Sequence, residues 1–274
     1  MKIGPIESVT ILTHDLTASA DRYISAFGWR IKEPVSELGV EDANRWQAAE
    51  LAGARVLKVC GVNGGIRFIE SATHQNPVPL RTFGWSALEI CVDDVHKYVA
   101  QAVEAGFEIL NEAVPLSGSA KPLPLIAAQL AGINGEVVYI TQILSEVPNF
   151  ELPDVSKESG SVFICVLGAS DLERSREAIE LNFEVRRASD RQVAIKVLNR
   201  VYEKPLDTLH RLSSLQLAGR NAIEIDQLPI EAIQREKFAG NLPPGISIVT
   251  VLGSVTEARV FSLPDNALLE VLPY

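Results

Sequence analysis

The 274 residues are too many for a minimal domain and suffice for two domains of about 135 residues each. Hydrophobic residues make up 47% and charged residues 22%, the composition of a packed chain and not of a disordered one. Lys+Arg number 25 against 35 Asp+Glu, a net charge of −10 with no basic run, which excludes phosphate-backbone binding and hence a nucleic-acid partner.

No apolar stretch reaches the roughly 18–20 residues that span a bilayer, so no membrane partner is expected. The opening MKIGPIESVT lacks the basic start and apolar core of a signal peptide. Cys60, Cys91 and Cys165 are odd in number, widely spaced and set in apolar runs. They read as buried free thiols, so the expected compartment is the cytoplasm.

In chain order, SVTILT (8–13) reads as a strand. After Asp15 the apolar positions Leu16, Ala20, Tyr23, Ile24 and Phe27 mark a one-faced helix with the aspartate as its N-cap. AFGWRI (26–31) closes that helix and opens a strand. GVNGGIRFIE (61–70) then places an Asn-Gly turn before a branched and aromatic run. The same order returns as SALEICV (86–92), a helix after Asp94 with Val95, Tyr98, Val99, Ala102 and Val103, AGFEIL (105–110) and GINGEVVYIT (132–141). Residues 145–161, polar and with two prolines, read as a linker. The Pro-rich stretches at 121–124 and 243–244 read as loops inside units.

A third round begins with SVFICVL (161–167) and a helix after Asp171 with Leu172, Ala178, Ile179 and Phe183, closed by LNFEVR (181–186). A fourth, more worn, reads as NAIEID (221–226), a short helix over PIEAIQREKF (229–238), and the strands GISIVTVL, EARVFSL and ALLEVL. Asp15, Asp94 and Asp171 stand 79 and 77 residues apart, a long and nearly constant period. The expectation is an α+β chain of four tandem strand–helix–three-strand (βαβββ) units, over about 5–72, 83–144, 161–219 and 220–274.

This order, carried most plainly by VTILTHDLTASADRYISAFGW and ALEICVDDVHKYVAQAVEAGF, resembles the vicinal oxygen chelate superfamily of glyoxalase I, extradiol dioxygenases and antibiotic-resistance proteins. The resemblance covers essentially the whole chain. It implies that units pair edge to edge into curved cups that hold a ligand. One cup is expected from residues 1–145 and another from 161–274, joined by the linker 146–160. Assembly of such cups across edges would make a homodimer, although four units in one chain can satisfy the pairing internally.

The resemblance also implies a divalent ion held by a His seven residues before the helix-opening Asp and a Glu four beyond the turn Gly. Here the first positions are Ser8, Ala87, Ile164 and Ala222, and the second include Phe68 and Tyr139; only Glu270 keeps a carboxylate. None of His14, His74, His96 and His210 falls at such a position, and one carboxylate does not hold a catalytic ion. No metal and no other cofactor is expected. The histidines read as loop or surface residues; Arg67, Arg186, Arg187 and Arg191 could bind an anionic substrate, but scattered arginines are usually solvated.

Side chains alternate along a strand, so Ala87 on the cup side carries Trp85, Glu89 and Cys91 with it. The first cup is expected to hold Ser8, Thr10, Phe68, Glu70, Trp85, Glu89, Tyr139 and Thr141, and the second Glu224, Asp226 and Glu270. Glu89, Tyr139 and Glu70 are the candidate catalytic residues. A carboxylate desolvated among aromatic rings is raised towards proton-abstracting range, and a phenol can donate to a developing enolate. The others are candidate ligand-binding residues, and a solvated or structural role for Glu70, Glu89 and Glu270 stands beside the functional one.

Three functions are compatible with these residues. The first is metal-independent acid–base chemistry, of isomerase, epimerase or lyase type, on a small oxygenated hydrophobic metabolite. The second is a non-catalytic small-molecule binding or resistance protein of the same fold. The third is a degenerate glyoxalase- or dioxygenase-like protein whose cups serve structure or assembly.

Overall fold

The computed structural model describes residues 1–72, 74–117 and 122–274. Three helices begin as the spacing predicts. Asp15 accepts from Ala18 N at 2.9 Å, Asp94 from Lys97 N at 3.1 Å and Asp171 from Arg174 N at 3.1 Å. They open α1 (Leu16–Phe27), α3 (Val95–Glu104) and α5 (Leu172–Asn182). The short helices α2 (Val40–Arg45), α4 (Val155–Glu158) and α6 (Lys196–Val201) lie between strands, where the spacing predicts none.

The strands of unit one are β1 (Ile3–Thr13), β2 (Arg30–Glu37), β3 (Arg55–Cys60) and β4 (Gly65–Glu70). Those of unit two are β5 (Gly84–Val92), β6 (Glu108–Ser117), β7 (Pro122–Ala131) and β8 (Val137–Ile143). The expected loop at 121–124 is therefore strand from Pro122 onward, and Lys121 lies outside the described residues. Unit three has β9 (Ser161–Ala169), β10 (Arg186–Ala194), β11 (Leu209–Gln216) and β12 (Ala222–Gln227). The last strands are β13 (Ile246–Gly253), β14 (Arg259–Ser262) and β15 (Leu268–Pro273).

The expected fourth unit changes most. NAIEID is not its opening: as β12 it runs parallel beside β9, as β4 does beside β1 and β8 beside β5, and so closes unit three. Residues 229–238 form no helix, and their two large aliphatic residues, Ile230 and Ile233, are 94% and 63% exposed and do not join the core. Unit four is thus reduced to β13, β14 and β15.

The pairing of units also differs from neighbour with neighbour. The seven-stranded sheet runs β14-β15-β13-β1-β4-β3-β2 and joins unit one to unit four. The eight-stranded sheet runs β10-β11-β12-β9-β5-β8-β7-β6 and joins unit two to unit three. Residues 1–145 and 161–274 are therefore not separate cups. The outermost units of the chain close one sheet and the two inner units close the other, so both cups are completed within a single chain. Residues 146–160 belong to the body: Phe150, Leu152 and Val155 pack against the cluster in the eight-stranded cup.

One apolar core unites the helix-facing sides of both sheets with α1, α3 and α5, from Val9, Ile11 and Tyr23 to Leu88, Ile90 and Ile179. Trp85 belongs to this core and not to a cup. A bulge between Trp85 and Ala87 shifts the alternation, Trp85 pairs with Leu167, and its Nε1 donates to the Leu268 carbonyl at 2.8 Å. Phe68 is likewise on the helix side, 5.9 Å from the Tyr23 ring, because it pairs with Ile11; Arg67 pairs with Thr10 and takes the cup face.

Candidate functional site

The two cups share one frame. Five residues before the capping aspartates stand Thr10, Glu89 and Val166, and their partners on the parallel last strands are Arg67, Tyr139 and Glu224. In unit four Thr250 partners Glu270. Ser8 lies opposite Thr250 across one sheet, as Ala87 lies opposite Val166 across the other. Arg67 and Glu270 in one cup therefore match Tyr139 and Glu224 in the other.

The first cup holds a side chain of its own chain, beside a cleft of about 180 Å³ lined by Arg45, Arg67 and Glu270. α2 lays Trp46 into it among Leu12, Leu38, Ile69 and Ile248. Glu270, 1% exposed, accepts from Trp46 Nε1 at 2.8 Å, Thr250 Oγ1 at 2.8 Å and Arg67 at 3.0 Å, and lies 3.4 Å from Arg45. Burial pushes this carboxyl up, but Arg67 and the donors of Trp46 and Thr250 outweigh it and hold the group below its ordinary value. Thr10 is buried here without a partner for its hydroxyl among the described residues, and Ser8 is partly buried. Arg67 is thus a buried ion-pair partner, not a solvated arginine. Glu70 stands outside, at the end of β4, and pairs with Arg55 at 3.2 Å.

The second cup is open. A cavity of about 160 Å³ is walled by Val114, Leu123, Leu125, Phe150, Ile164 and Val197, and Glu89, Tyr139, Glu224 and Asp226 line it with Arg191. This is comparable with the ~150 Å³ engineered cavity that accepts benzene. The structure so joins Glu89, Tyr139 and Thr141, expected in one cup, to Glu224 and Asp226, expected in another. It leaves Ser8, Thr10 and Glu270 in the cup that holds Trp46 and Phe68, Trp85 and Glu70 in neither.

Glu89 is 6% exposed and accepts a short hydrogen bond from the Thr141 hydroxyl. Burial first, and then the charge of Glu224, push its carboxyl up to about 8, against the opposing pull of Thr141 and Arg191. Burial raises Glu224 and Asp226 too, and Asp226 is raised further by its two carboxylate neighbours. Glu224 has one donor, Ser214 Oγ at 3.4 Å, and Asp226 Oδ1 has none among the described residues. Tyr139, raised by burial and then by the same carboxylates, stays a neutral phenol, and its hydroxyl has no hydrogen-bond partner among the described residues.

Gln129, Asn111 and Phe150 also line the cavity and were missed. Gln129 pairs with Tyr139 across β7 and β8, so alternation along PLPLIAAQLA would have found it. Phe150 lay in the supposed linker, and nothing in its surroundings in sequence marks it. Arg191 joins the site from β10, an edge strand of the eight-stranded sheet.

The donor set does not fit the ion that the resemblance implies. The matching positions hold Ala87, Ile164, Tyr139 and Glu224 in the open cup, with no imidazole. Among the described residues no three His, Cys, Asp or Glu side chains are grouped to hold a metal ion. No helix among them is long and apolar enough to cross a membrane. The three cysteines are free and buried.

No protein-family profile and no curated protein matches the chain in sequence. Solved structures do match in shape. Glyoxalase I from Zea mays superposes with a TM-score of 0.64 at 12% identity, over 98% of this chain and 92% of that one. A putative dioxygenase from Bacillus subtilis gives 0.63 at 12% identity, over 99% and 86%. These likenesses, spanning both sheets, establish that the chain has the α+β glyoxalase/dioxygenase-like fold of the vicinal oxygen chelate proteins.

Proposed function

We propose that the open cup carries out metal-independent acid–base chemistry next to a carbonyl of a small, oxygenated, largely apolar compound. The observation that carries this reading is Glu89: a buried carboxyl raised to about 8, in register with Tyr139 on the adjacent strand, whose phenol has no hydrogen-bond partner among the described residues. The Glu89 carboxylate takes the proton from the carbon beside the carbonyl. The C–H electron pair moves into the enolate, whose oxygen accepts from the Tyr139 hydroxyl. Return of the proton to the same or another carbon completes an isomerisation or epimerisation. Loss of a β leaving group instead gives an elimination.

The test is deuterium incorporation from D2O into a panel of aryl ketones and β-diketones, followed by NMR. Exchange that persists in chelator and is lost in Glu89→Gln is the expected result. Exchange that needs an added divalent ion, or that survives Glu89→Gln, overturns the reading.

A second reading, a small-molecule binding protein, draws on the apolar walls Val114, Leu123 and Leu125, which bind a ligand without chemistry. It predicts that affinity for a bound compound survives Glu89→Gln with no exchange in either protein.

A further inference from the structure

One of the two cups already holds a ring. Trp46 is 1% exposed, its N–H meets Glu270, and the Arg67 guanidinium lies 4.7 Å from the centre of its ring. The chain reaches that arrangement by inserting α2 and Trp46 between β2 and β3 of unit one. In unit two, only residues 118–121 separate β6 from β7. Over unit two, the place that Trp46 takes over unit one is the cavity itself, walled by Val114 and Leu116 of β6 and Leu123 and Leu125 of β7. The carboxylate beneath is Glu224, the match of Glu270, and the neighbour at Arg67's position is Tyr139.

α6 does not close this space. The residue after it, Tyr202, donates to the Leu80 carbonyl at 2.8 Å and stacks 5.0 Å from the Arg81 guanidinium. Glu224 so keeps acceptor capacity that Glu270 spends on Trp46, Arg67 and Thr250.

We propose that the open cup binds a planar aromatic ring bearing an O–H or N–H donor, the donor meeting Glu224 and the ring lying against Tyr139, as Trp46 meets Glu270 and Arg67 in the other cup. A mono- or bicyclic ring matches the cavity of about 160 Å³. This narrows the substrate class of the proposed proton-transfer site; binding of the ring stands by itself, and only its turnover rests on that reading.

The probes are indole and 1-methylindole, titrated calorimetrically into the whole protein. Indole is expected to bind about tenfold or more tightly than 1-methylindole, a difference of about 1.4 kcal/mol. In Glu224→Leu the preference is expected to vanish while the thermal transition stays cooperative. Leu125→Trp, which fills the cavity and leaves Glu224 in place, is expected to block both probes.

Equal affinities, an indole preference that persists in Glu224→Leu, or no indole binding up to its solubility would overturn the proposal. Selective indole binding without deuterium exchange would sink the catalytic reading alone. Exchange with no indole preference would sink this inference alone.

Discussion

Trp46 Nε1 donates to Glu270 Oε1 at 2.8 Å, and this bond joins the short helix of unit one to the last strand of unit four. The indole and the carboxylate are both 1% exposed; the indole N–H has Glu270 as its partner, while Glu270 also accepts from Thr250 and Arg67. Trp46→Ala removes a large buried side chain and strips a donor from a buried carboxylate. The expected loss is about 3–5 kcal/mol, read by urea unfolding. Trp46→Phe keeps most of the volume and loses only the N–H, for about 1–3 kcal/mol.

Glu89 sets a pH dependence for any proton abstraction in the open cup. With its carboxyl raised to about 8, the base form is the minority at pH 7 and the majority above pH 8. The rate of deuterium exchange is expected to rise about tenfold per pH unit below 8 and to level off above it. Glu89→Gln lowers the plateau by about 10²–10⁴. A flat profile between pH 6 and 9 would remove Glu89 from the role of base.

The same carboxyl makes stability depend on pH. An unfolded glutamate titrates near ~4.3 and the folded Glu89 near 8, so between these values the folded state binds the extra proton. Stability is therefore lost as pH rises through that window. Glu224, Asp226 and Glu136, all raised, act in the same sense. His74 and His210, both lowered by burial first, act in the opposite sense as pH falls below about 6.5. Because Glu89→Gln leaves those histidines in place, comparing its urea midpoints at pH 5 and pH 8 with those of the parent reads Glu89 together with the part of the Asp226 rise that its charge causes. The variant is expected to lose less stability between the two.

The pairing of outer with outer and inner with inner units predicts how fragments behave. Residues 1–145 alone leave β1 without β13 and β5 without β9, two exposed central edges. This fragment is expected to show no cooperative thermal transition by circular dichroism. Mixed with residues 146–274 it is expected to regain one. A cooperative melt of 1–145 by itself would contradict the importance of those two pairings.

Much of the fold was legible because its signals are local. The aspartate caps, the 3.6-residue apolar period of α1, α3 and α5 and the Asn-Gly turns are each fixed by residues a few positions apart. The echo of SALEIC in NAIEID misled for the same reason. Alternation is common to any strand beside a cup, and whether such a strand opens or closes a unit depends on the neighbour it finds. The Trp85 bulge and the one-residue difference that brings Arg67, and not Phe68, to the cup face are likewise invisible to a strict period of two.

The sequence by itself determined three rounds of the unit, the caps and apolar faces of α1, α3 and α5, and the lack of imidazole at the positions where the resemblance places metal ligands. Only the tertiary structure decided which units share a sheet, and through that which carboxylates meet. Glu89 and Glu224 stand 135 residues apart in the chain, and no local rule relates them. The antiparallel contact of β5 with β9 brings them together, while the outer units close around Trp46. Burial in that shared cup, a property of the assembled sheet and not of any segment, is what raises Glu89 and leaves Glu224 with acceptor capacity for a ligand.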